Sequence, residues 1–161
     1  MAGTIFNQLQ KSVSEFREAQ NIYWADLQLR ISRLQAELIS YLGVTGMTLR
    51  FEENDVETPI VVVGNINGNS IQPLPSIHFK KDEEKLTLDF GVRIYLSREN
   101  SELVDISLTF PCSAYKKGDD YFVYVIDREI ACRKASDKLD FTHVFDYMVE
   151  RLKLHVDKSE F

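Results

Sequence analysis

The amino-acid sequence predicts an α+β fold: an antiparallel meander of five or six strands with a long N-terminal helix and a C-terminal helix. Three observations carry this. Apolar residues recur every three or four positions through the first forty residues, alternate strictly over residues 86–96 and 104–114, and return to helical spacing between Phe141 and Val156. Helix, strands, helix is an α+β order, not the alternation of βαβ units.

Residues 1–43 read as the long helix. Thr4 is its N-cap, and the apolar positions are Phe6, Leu9, Val13, Phe16 and Tyr23, then Trp24, Leu27, Ile31, Leu34, Leu38 and Tyr41. The second set is offset by four residues, with polar Gln20 and Asn21 at the join. Such a stutter suits a nearly straight helix or a broken pair better than a continuous two-stranded supercoil. Gly43 and Gly46 end the run. A helix near forty residues is about 60 Å long, more than one side of a domain this small, so part of it must overhang or break. An overhanging apolar stripe needs a partner. Self-association is therefore expected, with Phe6, Leu9, Val13, Phe16, Trp24 and Leu27 as the contact residues.

The sheet is expected over residues 47–135. Met47, Leu49 and Phe51 alternate with polar neighbours, and a second strand follows Pro59 at residues 60–63. The segment 64–70, rich in Gly and Asn, reads as a turn, and residues 77–79 as a short strand after Pro73 and Pro75. Leu86, Leu88, Phe90, Val92, Ile94 and Leu96 form one apolar row. Setting Leu96 opposite Val104 and Val92 opposite Leu108 keeps both rows of the hairpin on one side. A turn at residues 116–120, with Cys112 opposite Tyr124, would align Phe122, Tyr124 and Ile126 with that row. Residues 121–126 are apolar on both faces, so both faces need cover. Residues 128–135 read as a final strand, a helical turn being the alternative. Asp137 is placed to cap a helix over 137–156 whose inward positions are Phe141, Val144, Phe145, Met148, Leu152 and Val156.

A chain of 161 residues, 44% hydrophobic and 27% charged, is expected to form one domain with a core of its own. No internal repeat or linker divides it. No apolar run, residues 60–63 and 121–126 included, comes near the roughly 18 residues of a membrane span. A formal charge of −6 disfavours nucleic acid as the main partner. Met1, Ala2, Gly3 and Thr4 carry no basic segment leading into an apolar one, which points to the cytoplasm. Cys112 and Cys132 lack CxxC spacing and read as reduced structural thiols.

No chemical motif is decisive. His78, His143 and His155 do not converge in sequence, and the acidic run at 52–57 lacks calcium-loop spacing, so neither metal nor cofactor is expected. The glycines at 64 and 68 precede prolines instead of a helix, which excludes a nucleotide loop. Cys112 lies in the core row. Cys132, with His143 and Asp146 near it in sequence, and the carboxylates Asp89, Asp105 and Asp127 are the candidates for a hydrolase. Arg93 beside Asp105 is better explained as a cross-strand ion pair.

Two surfaces suit a partner. Glu52, Glu53, Asp55 and Glu57 form either a solvated turn or a dock for a basic protein. Tyr95, Tyr115 and Tyr121, with Ser107, Thr109 and Ser113, make an aromatic and polar face fit for a protein or a small ligand unless a helix covers it. The function expected is that of a non-enzymatic, acidic, self-associating binding module of the cytoplasm, like inhibitors, immunity proteins and secretion chaperones. An oligomeric protein sequestering a small ligand is the alternative, and a small hydrolase a third reading.

Overall fold

Thr4 opens the first helix by accepting the Asn7 N–H at 3.1 Å, which satisfies one of the orphan donors of the first turn. In the computed structural model, which describes residues 3–161, the N-terminal helical region is two helices, α1 (Ile5–Ile31) and α2 (Leu34–Leu42). Met1 and Ala2, part of the segment read above for a leader, lie outside the described residues. The break falls at Ser32 and Arg33, not at the Gln20–Asn21 join. Ser32 turns its hydroxyl onto the Leu29 carbonyl at 2.5 Å, a side-chain bond that competes with the helix ladder. The Arg33 side chain reaches Asp137 at 2.8 Å. Gly43 closes α2 at φ 73°, a left-handed cap that glycine adopts without penalty.

Eleven strands follow: β1 (Thr48–Arg50), β2 (Glu57–Pro59), β3 (Val61–Asn67), β4 (Ser70–Pro73), β5 (Lys80–Asp82), β6 (Thr87–Leu96), β7 (Ile106–Lys117), β8 (Asp120–Val125), β9 (Arg128–Cys132), β10 (Lys134–Ala135) and β11 (Lys138–Leu139). Seven form one antiparallel sheet in the order β4-β3-β6-β7-β8-β9, with β5 also on β6, where the sequence predicted five or six. Of residues 128–135, Arg128–Cys132 are a strand of this sheet, the reading preferred over a helical turn, while Lys134–Ala135 pair with β11 in a separate two-stranded sheet.

Several local expectations are corrected. Gly64 to Asn67 continue β3, leaving only Gly68 and Asn69 as the turn. At Gly64 a Cβ would sit 1.8 Å from the Gln72 carbonyl oxygen, so the glycine serves close strand approach, not a bend. Residues 76–78 form a 3-10 turn, and the short strand comes just after them, with Phe79 stacked on Phe90 at 5.2 Å. The β6–β7 register pairs Leu96 with Ile106 and Val92 with Phe110, two residues further than predicted. Residues 102–104 are drawn away by β1, through Arg50 N–H to Glu102 and Val104 N–H to Arg50, at 2.8 and 2.9 Å. An even shift preserves the faces, so the core row survives.

The β7–β8 register is off by one, with Cys112 opposite Val125. Gly118, at φ 62°, and Asp119 make a two-residue turn that closes with Lys117 opposite Asp120, shorter than the five-residue turn expected. An odd shift exchanges the faces. Tyr121, Val123 and Val125 therefore enter the core, while Phe122 and Tyr124 face outward and Ile126 stands in the next turn.

The last helix, α3 (Thr142–His155), starts five residues later than predicted. Asp140, not Asp137, stands at its start, accepting from the Thr142 hydroxyl and N–H at 2.6 and 2.9 Å, bonds that hold its carboxyl below the usual range. Tyr147 is buried and Val156 exposed. The Arg128 guanidinium lies 4.3 Å from the Tyr147 ring centroid. All three helices lie on the face that carries Leu88, Phe90, Val92, Ile94, Phe110, Val123 and Val125, and one core runs between.

Candidate interaction surface

Only the second half of α1 rests on the sheet. Residues 5–19 are exposed without exception, a projection of about 22 Å. On it Ile5, Phe6, Leu9, Val13 and Phe16 are each more than half exposed, from 57% at Phe16 to 76% at Ile5. At 3.6 residues per turn, Phe6, Leu9, Val13 and Phe16 point the same way as Trp24, Leu27 and Ile31. The stripe is continuous. The sheet simply ends beneath it, leaving the outer half bare.

A dense anchor sets the direction of the projection. The Tyr23 hydroxyl donates to the Leu86 carbonyl at 2.5 Å and accepts the Lys116 N–H at 3.1 Å. Trp24 meets Tyr23 edge-on at 5.0 Å. Arg30, buried, holds Asp26 at 3.0 Å and the carbonyls of Ser136 and Lys138 at 3.1 Å, while its guanidinium lies 4.6 Å from the Tyr121 ring centroid. The Tyr121 hydroxyl donates to Asp26 at 2.5 Å. Burial by itself would raise the Asp26 pKa, but bonds from Tyr121 and Arg30 outweigh it and bring the group below the ordinary value. Burial first, then Asp26, pushes Tyr121 up to about 12.

The sequence-predicted residues divide. Phe6, Leu9, Val13 and Phe16 form the bare stripe. Trp24 and Leu27, read as contact residues with them, are instead core, at 6% and 1% exposure, because the sheet reaches that far. Of the three tyrosines only Tyr115 stays on the open face. Tyr95 is buried edge-on to Phe51 at 5.5 Å, and Tyr121 lies on the helix side. Phe122 and Tyr124, missed through the register error, stack on Tyr115 at 5.0 and 5.9 Å, and the Tyr115 hydroxyl bonds Glu129. Glu52, Glu53, Asp55 and Glu57 are all exposed on the β1–β2 arm. Arg50 bonds Asp55 at 2.7 Å and Glu102 at 3.4 Å, which offsets part of the patch.

The candidates for chemistry are dispersed. Arg93 bonds Thr109 and the Asn69 carbonyl, at 2.7 and 2.6 Å, while Asp105 pairs with Arg98 at 2.9 Å, so the expected Arg93–Asp105 pair does not form. Asp89 accepts from Thr87 and Ser113. Among the described residues no group of three His, Cys, Asp or Glu side chains converges on a metal position. Cys112 and Cys132 are buried and unbridged. Burial raises both thiols, Cys132 to about 12 with Asp140 adding to it. Both are expected to react with a thiol reagent at pH 8 at least ~100-fold more slowly in the native protein than in denaturant, since the thiolate is the attacking form. Absorbance-monitored labelling checks this.

A cleft of about 690 Å³ lies between α1 and the 74–79 segment, lined by Gln28, Leu29, Leu74, Ile77 and their neighbours. Its polar side chains are committed to the fold: Ser76 donates to the Gln28 carbonyl at 2.7 Å and Gln35 to the Val61 carbonyl at 2.9 Å.

Fold and surface together define an α+β protein whose antiparallel sheet carries helices on one face and whose first helix overhangs it. None of its described helices is long and apolar enough to cross a membrane. No family model, curated protein or solved structure matches the chain.

Proposed function

We propose that this protein is a non-enzymatic binding module of the cytoplasm that self-associates through the overhanging half of α1 and holds a protein partner on its remaining surfaces. The bare stripe of Phe6, Leu9, Val13 and Phe16 is the observation that carries this reading. An apolar row on a solvated helix is costly unless something covers it. The acidic β1–β2 arm and the aromatic row of Tyr115, Phe122 and Tyr124 are the surfaces for the partner, the first attracting basic proteins over distance and the second offering rigid contact area.

The acidic arm is tested by replacing Glu52, Glu53, Asp55 and Glu57 together with Gln. Binding to a basic partner recovered with the protein from its source is expected to weaken about 10-fold at low salt, with a flatter dependence on ionic strength. Titration calorimetry at two salt concentrations measures both. Unchanged affinity and unchanged salt slope would remove the arm from the partner site.

A further inference from the structure

We propose that the overhang pairs with the same segment of a second copy in the antiparallel sense, about a two-fold axis beside Lys11. This rests on the self-association reading above and specifies its geometry. The spacings between Phe6, Leu9, Val13 and Phe16 are three, four and three, the same in either direction. Antiparallel pairing therefore sets Phe6 against Phe16 of the second copy and Leu9 against its Val13. Symmetry repeats both, giving four filled layers with aromatic residues at the ends and aliphatic ones at the centre.

Length, charge and area agree. With the axis at Lys11, Thr4 of the second copy comes level with Glu18, short of Tyr23, where the helix meets the body of the protein. The overhang is thus just long enough to be covered by its twin. Ile5, Gln10, Ser12 and Ala19 flank the seam without charge, Arg17 is the one charged flank residue, its guanidinium 5.7 Å from the Phe16 ring centroid, and Lys11, Glu15 and Glu18 point away. The hairpin tips next to Tyr23's partners, Leu86 and Lys116, carry Asp82, Glu83, Glu84, Asp119 and Asp120 against Lys85, Lys116 and Lys117, a small acidic excess. In the antiparallel arrangement the positive N-terminus of each helix approaches these acidic tips of the other copy. A parallel pair would instead bring the two positive ends together. Five half-exposed apolar side chains at about 100 Å² each bury on the order of 1,000 Å² over two copies, the lower bound for a specific interface.

Disulfide trapping tests the orientation. The native cysteines are buried, so Phe6→Cys and Phe16→Cys each introduce one accessible thiol at a position outside the folded core. The two variants are oxidised separately and as a mixture, and sedimentation of the wild type at 100 μM (roughly the range of weak dimers) is run alongside. The expected result is a wild-type dimer and a covalent product in the mixture at least 10-fold above either variant alone. A mixed pair retains one Phe–Phe layer while placing both thiols in the other. Self-linked products of each variant alone in amounts equal to or above those of the mixture would overturn the antiparallel geometry but leave self-association standing. A wild-type monomer with no cross-linking in any sample would overturn both.

Discussion

Leu9→Glu combined with Val13→Glu is expected to abolish self-association while leaving the fold intact. Each of these side chains is 58% exposed in the single chain and touches no part of its core, so a carboxylate there costs the monomer little. In the assembly both positions lie at the centre of the seam. Losing two aliphatic side chains removes about 1.5–3 kcal/mol each in transfer free energy, before the cost of burying charge. The dissociation constant should rise by at least ~100-fold. Sedimentation velocity of the variant against wild type reads the first effect, and thermal melting, with Tm within about 2 °C, the second. An unchanged oligomer would assign assembly to another surface; a large drop in Tm would mean the overhang packs on its own domain.

Arg30→Ala is expected to cost about 2–4 kcal/mol of stability, at or below the range found when one partner of a fully buried ion pair is removed, because Asp26 keeps 28% of its side chain in solvent. The guanidinium serves Asp26, two carbonyls and the Tyr121 ring at once, and its loss leaves each without that partner. For a chain of this size the Tm should fall by about 10 °C. Urea denaturation with a wild-type slope would confirm that the native state alone is affected. Acid adds a second readout. Asp26 titrates lower in the folded than in the unfolded protein, so its contribution is present above the unfolded value near pH 4 and is lost as pH falls through the folded value. Removing Arg30 should shrink this acid-labile part.

The alternation of Leu88, Phe90, Val92 and Ile94 was legible because each of these residues faces one buried layer, and a period of two has one structural meaning. Faces across the β7–β8 turn were not. The segment 121–126 is apolar on both sides, so hydrophobicity cannot choose between the row with Tyr121 and the row with Phe122. The choice was made by a two-residue turn at Gly118 and Asp119. That single slip hid two of the three rings on the open face. Asp137 showed the same ambiguity: it has the chemistry of a cap, but the chain runs through β11 before α3 begins, and Asp140 stands in its place.

The sequence by itself determined the α+β class, the order of elements, the central hairpin and the amphipathic stripe that runs through the first helix, because these depend on local periodicity and capping. Tertiary structure decided where the stripe ceases to be core. Trp24 and Phe16 belong to the same row on the same helix, and nothing local distinguishes them. Only the end of the sheet, at the level where Tyr23 bonds Leu86 and Lys116, buries one and leaves the other bare. Burial is a property of what lies opposite a residue, and what lies opposite comes from strands some sixty to ninety positions away in the chain.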